Sequence, residues 1–321
     1  MRQSIHPSAT SRAPATCRTP LPARSFEAAC SPLRRAGIAV IGMLALFAPS
    51  AARAAVEARQ DGDVLVVRGN AERDVVEIIG GETIGDVQVI ATSDTLPFAL
   101  LASHVRSVRV DVKGGDDTVI VRGLRIEGDL RVRTGHGSDR VLVTELVFGS
   151  SVREVSIGGR VDVRLGNQRN DVIAIDPTTP AGVAIRGDLE VSGADDVTLD
   201  GDGGTSRTEP GDLSIGGELR VSAKLACRIE LDDVDVSGNT RIKTSSADDG
   251  IEISDTDLAG RVDIELGRGN DRLDLDFGLE PDNRFGAGFR ADGGPGLDEL
   301  DTSASNRFAR SPHFSGFERH G

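Results

Sequence analysis

Aspartate recurs along this chain at the head of a short apolar phrase. Asp117, Asp139, Asp171, Asp195, Asp249, Asp271 and Asp298 are each followed two positions later by an apolar residue, and all but the last by another at four. Cys227 takes one further place in the series, which then runs with spacings of 22, 32, 24, 32, 22, 22 and 27 residues. Carboxylates supply hard oxygens, which accept backbone N–H groups or ligate calcium. A second acidic cluster, Asp200-Gly-Asp202-Gly-Gly204, follows Asp195 and Asp196. Its D-x-D-x-G form is suggestive of calcium, but such runs are common in solvated acidic loops. The candidate metal ligands are therefore Asp117, Asp139, Asp171, Asp195, Asp200, Asp202, Asp249, Asp271 and Asp298.

Around each aspartate the same elements repeat. One strand precedes it, as at Leu130/Val132, Val161/Val163, Leu189/Val191 and Leu219/Val221. One contains it, as at Val141/Val143 and Ile251/Ile253. A third often follows, as at Leu124/Ile126, Leu213/Ile215 and Val234/Val236, and ends in glycine. Alternation over short runs bounded by Gly and Asp signals half-buried strands. Three short strands cannot close a sheet alone, so coil must stack on coil. The spacing predicts an all-β chain, a parallel β-helix (solenoid) of about eight coils with a 22-residue basic period and three strands per coil. A β-sandwich also gives short alternating strands, but not one aspartate at one register position.

Stacking sets neighbouring carboxylates about 4.8 Å apart. At an effective dielectric of 20 each pair repels by roughly 3–4 kcal/mol. Three things could offset this: backbone N–H groups of the Gly turns, calcium, or side chains splayed into solvent. Cys227 interrupts the column and reads as a small apolar residue in the core.

The turns sharpen the calcium expectation. Gly293-Gly294-Pro295-Gly296-Leu297-Asp298-Glu299-Leu300 fits G-G-x-G-x-D-x-L, and the turns ending in Asp139 and Asp271 fit its G-x-G-x-D core. This resembles the haemolysin-type calcium-binding (RTX) nonapeptide of secreted bacterial proteins. The resemblance implies calcium held between coils by the glycines and the Asp. It covers only the turn of each coil, and the period here is 22 residues rather than nine. In period the chain looks more like other exported bacterial β-helix proteins.

Nine residues separate Val121 from Leu130, Leu231 from Thr240 and Ile253 from Val262. The matching gap is 18 for Val143 to Val161, 14 for Ile175 to Leu189, 20 for Leu199 to Leu219 and 14 for Leu275 to Phe289. All four insertions leave on the same side, after the aspartate strand. Stacking brings them to one corner, the expected place for a protein or glycan partner.

The chain divides as 1–54, a leader; 55–107, an N-terminal β cap or irregular first coils; 108–301, the repeats; and 302–321, a C-terminal cap where Phe308, Phe314 and Phe317 cover the last coil. The leader carries Arg34-Arg35, an apolar run Ala36 to Phe47, and Ala52-Arg53-Ala54, which fits cleavage before Ala55. Its length also admits a start site placed too early, and the Arg pair admits a twin-arginine signal. Export to the periplasm, cell surface or medium follows. The whole chain carries −14 and the leader +6, leaving about −20 beyond it. That charge argues against nucleic acid, and the apolar run is too short for a transmembrane span.

Enzyme chemistry is thinly supported. His104, His136, His313 and His320 have no metal-type spacing, and there is no nucleophile elbow or P-loop. A polysaccharide lyase or hydrolase is the alternative, using Asp232/Asp233 or Asp248/Asp249 with Arg228 or Arg241. The chain has no Trp and no Tyr, however, for stacking on sugars. A non-enzymatic structural or binding role is the expectation.

Overall fold

The computed structural model describes residues 56–93, 97–166, 168–177, 182–201, 213–275 and 283–320. These residues form strands, turns and loops with no helix, so no helix among them is long and apolar enough to cross a membrane. The strands lie in sheets of 11, 12 and 8 strands, plus one two-stranded hairpin. From Ser107 onward the chain visits the three large sheets in strict rotation, and each strand pairs in parallel with its counterpart on the next visit.

The register follows the apolar phrases. In the 12-stranded sheet Val119 lies beside Val141, Val141 beside Ile173 and Ile173 beside Val197. The same row continues through Ile229, Ile251, Leu273 and Leu300. In the 11-stranded sheet Leu130, Val161, Leu189 and Leu219 form a second row, and in the 8-stranded sheet Val183, Leu213 and Val234 form a third. All of these residues are at most 2% exposed and share one hydrophobic cluster. Shifting a strand by one residue would turn its whole apolar set outward, which fixes the register strongly.

The tight turns need glycine where passes meet backbone to backbone. Gly135 has φ +97°, and a Cβ there would strike the Lys113 carbonyl. Gly267, at φ +94°, meets the Ser245 carbonyl in the same way.

At the N-terminal end pairing turns antiparallel. Glu57–Asp61 and Val64–Arg68 form a hairpin, and Asp74–Gly80, Val87–Ser93 and Pro97–Ala102 form a meander. Val64–Arg68 and Asp74–Gly80 then start the two larger parallel ladders, against Ser107–Asp111 and Thr118–Arg122. At the other end Phe285 stacks on Phe308 with ring centroids 4.7 Å apart, and Phe289, Phe314 and Phe317 pack around them. Of the insertions, the one after Val143 contains an antiparallel hairpin, Leu146–Phe148 with Ser151–Arg153. Most of the other three, at 178–181, 202–212 and 276–282, lies outside the described residues.

Candidate functional site

The aspartates lie at the start of each strand in the 12-stranded sheet, where the chain leaves its Gly turn. There the backbone N–H bonds a side chain of the neighbouring pass rather than a carbonyl. The next aspartate supplies the acceptor instead. Asp117 N–H donates to Asp139 Oδ1 at 3.0 Å, and Asp139 N–H to Asp171 Oδ1 at 2.9 Å. Asp249 donates to Asp271, and Asp271 to Asp298, both at 2.8 Å. Asp74 joins the column by donating to Asp117 Oδ1 at 2.8 Å, and Glu318 Oε2 ends it by accepting from Asp298 N–H at 2.9 Å. A buried N–H without an acceptor costs about 1–3 kcal/mol, so each link matters to the fold.

Asp117, Asp139, Asp171, Asp249, Asp271 and Asp298 are no more than 3% exposed, so they do not splay into solvent. Of the offsets open in the sequence, backbone N–H groups are present: Oδ1 accepts from the aspartate's own N–H in the preceding pass, and turn amides reach Oδ2 at Asp74, from Asn70 N–H, and at Asp249, from Ser245 N–H. Asp195 stands apart and is only half-buried. Its counterpart on the next pass is Cys227, which offers no carboxylate, and its N–H goes instead to the Asp171 carbonyl at 2.9 Å. Cys227 is buried and free, burial pushes its thiol pKa up, and its own N–H still donates to Asp249 Oδ1 at 2.8 Å. The column is thus two runs, Asp74 to Asp171 and Cys227 to Glu318. Asp200 lies at the far end of its strand beside Asp232, away from the column, and Asp202 lies outside the described residues.

One carboxylate oxygen is left over in most links. Oδ2 of Asp117, Asp139, Asp171, Asp271 and Asp298 is buried without a hydrogen-bond partner, whereas Asp249 Oδ2 accepts from Ser245 N–H at 3.2 Å. Burial therefore dominates the acidities. It pushes Asp117 up to about 8 against the opposing bond from Asp74 N–H, with the Asp139 and Asp74 charges adding to the rise. Asp171 and Asp271 are pushed up to about 6 for the same first reason, and Asp298 is raised as well. Among the described residues no three His, Cys, Asp or Glu side chains converge on one point. A calcium ion here would have to draw on backbone carbonyls as well.

Two further columns escaped the sequence reading. Beside the buried aspartates runs an exposed column of opposite sense. Asp116 Oδ1 accepts from Ser138 N–H at 2.9 Å, Asp248 Oδ1 from Asn270 N–H at 2.8 Å, and Asn270 Oδ1 from Leu297 N–H at 3.1 Å. At the corner before the 11-stranded sheet, Asp129 accepts from Arg160 N–H and Asn239 from Arg261 N–H, both at 3.0 Å, and Asp188 from Glu218 N–H at 2.9 Å. The signal was Gly followed by Asp or Asn, at 128–129, 187–188 and 238–239.

The acid pairs considered for catalysis are engaged elsewhere. Asp248 and Asp249 cap backbone N–H groups, and Asp232 accepts from Ser254 Oγ. Arg228 pairs with Glu230 and Glu252, and Arg241 with Glu265. Comparison with family models, curated proteins and solved structures finds no match.

Proposed function

We propose that the chain is an exported, non-enzymatic β-solenoid: a parallel β-helix of about eight coils on a 22-residue basic period, with a structural or binding role. The observation that carries this is the use of the aspartates. Their Oδ1 atoms hold the backbone of one pass to the next, which is the work of a scaffold. The rotation of the chain among three sheets supports the β-helix, and the Arg-bearing apolar leader with its small-residue site supports export.

A solenoid can lose one repeat without losing its register. Ile242 pairs with Ile264, so removing residues 242–263 sets Ile264 in the place of Ile242 and Asp271 in the place of Asp249. This shortened protein should unfold cooperatively with a β-type circular dichroism spectrum. Removing only residues 242–252 should leave a chain that does not fold. Equal behaviour of the two would remove the solenoid from the account.

The unpartnered Oδ2 atoms favour a second reading, in which calcium stabilises the column. The oxygens available are those of Asp117, Asp139, Asp171, Asp271 and Asp298. Calcium bound only by the folded state would raise the melting temperature as its concentration rises. Asp271→Asn keeps an oxygen for the Asp249 N–H but removes the charge, so it should blunt that response. A melting curve indifferent to calcium, to chelator and to this substitution would leave the aspartates as turn formers alone.

A further inference from the structure

The turns that lead from the 11-stranded sheet to the 12-stranded sheet form a ridge along the stack, and the ridge has a notch. Between Leu189–Ser192 and Asp196–Asp200 the turn is three residues, Gly193 to Asp195. Elsewhere these turns have five to seven, as at 134–139, 165–171, 223–227 and 244–249. The shortened turn falls where the aspartate column breaks, at Asp195 and Cys227.

The space left by the missing residues is a pocket of about 470 Å³. Arg169 and Asn170 of the preceding pass line one side, and Lys224 and Leu225 of the following pass line the other. Asp195 and Asp196 lie between them, and Ser245, one pass further on, lines the far end. Two of these side chains hold polar atoms that are buried without a partner, Asp195 Oδ1 and Ser245 Oγ. The other Asp195 oxygen is taken, because Oδ2 accepts from Asn170 N–H at 2.5 Å. A buried carboxylate oxygen without a donor is costly, which favours a ligand that brings one. Arg169 is exposed and makes no ion pair among the described residues.

The charges of the lining select the ligand. Calcium takes about six to eight oxygens, and here Arg169 and Lys224 stand against it on either side. A simple anion would meet Asp195 and Asp196. Two acids and two cations favour a molecule that carries both signs close together. We propose that the notch binds a free α-amino acid. Its ammonium donates to Asp195 Oδ1, its carboxylate accepts from the paired N–H donors of Arg169, and its side chain lies over Leu225 toward Ser245. The pocket volume falls in the range usual for small ligands. Ser245 is two passes from Asp195, about 10 Å along the stack, so a long side chain with a polar end is preferred to glycine or alanine. The proposal goes beyond the scaffold reading, which would stand if it failed.

Melting of the native protein with each common amino acid, followed by calorimetric titration of the best one, tests it. At least one with a long polar side chain should raise the melting temperature as its concentration rises. The same compound acetylated on its nitrogen, or amidated on its carboxyl group, should not. Asp195→Asn keeps an oxygen for the Asn170 N–H but removes the charge, and it should weaken binding by about tenfold or more. Arg169→Ser should do the same, and this exposed position decides the matter should Asp195→Asn not fold. Arg268→Ser, exposed on a turn outside the pocket, should change nothing. The proposal is overturned if no amino acid shifts the melting temperature, if the blocked compounds bind equally well, if Arg169→Ser binds as tightly as native protein, or if Arg268→Ser loses as much.

Discussion

Val221→Asp should abolish the native state over the strands around it, while Arg220→Ser, one residue away, should leave stability within about 1 kcal/mol. Val221 is 2% exposed and lies between Val191 and Ile242 in the inward row of the 11-stranded sheet. A carboxylate there meets only hydrocarbon. It would stay neutral at a large cost in pKa or drag water into the core, and either route costs on the order of 4 kcal/mol or more. Arg220 points to solvent and contributes an ion pair with Glu218, whose loss is minor at an exposed site. Urea denaturation of the two variants separates these cases. If they unfold at the same midpoint, the assignment of inward and outward rows is wrong.

Period-two alternation made those rows legible, because it depends only on which residues are apolar. Leu130/Val132, Val141/Val143 and Val161/Val163 face inward as the sequence indicates, and the pairing of Asp139 with Asp117 and Asp171 follows from the same register. The caps at backbone level were less legible. Asp129, Asp188 and Asn239 look like ordinary turn residues, and their role shows only once the following pass, whose N–H groups they accept from, is stacked on them. Glu318 was invisible because a longer acid, outside the repeat, completes the aspartate column. Asn283 was hidden at the end of an insertion. It is fully buried, donates through Nδ2 to the carbonyls of Ile253 and Leu275, and accepts from Thr256 N–H. Cys227 interrupts the column on one side only. It ends the acceptor side for Asp195 but keeps the donor side to Asp249 intact.

In chelator-treated protein, acid should stabilise the fold and mild alkali should weaken it, the reverse of a protein held by surface carboxylate ion pairs. The sign follows from the buried column. Burial raises the pKa of Asp117 to about 8 and those of Asp171 and Asp271 to about 6, from an ordinary value of 3.8. A group whose folded-state pKa is raised contributes stability that is fully present below its unfolded pKa, near 4, and lost as pH rises through the folded one. A tenfold change in acidity is worth about 1.4 kcal/mol, so stability changes by several kcal/mol between about pH 4 and 9. A protonated aspartate still accepts the neighbouring N–H through one oxygen, so acid need not break the ladder. It also removes the charge that each stacked carboxylate places on the next. Melting temperature should therefore fall most steeply from pH 4 to about 6, where all three groups contribute, and more gently from there to about pH 8, where Asp117 alone still does. Asp117→Asn should flatten the upper part of the curve, because it keeps the acceptor for Asp74 N–H and removes the proton equilibrium. Added calcium should act in the opposite direction if it binds, since a cation favours the ionised column and restores stability at high pH. A melting temperature that rises between about pH 4 and 8 in chelator would mean that these carboxylates are already ionised in the fold, with charge compensation inside the column.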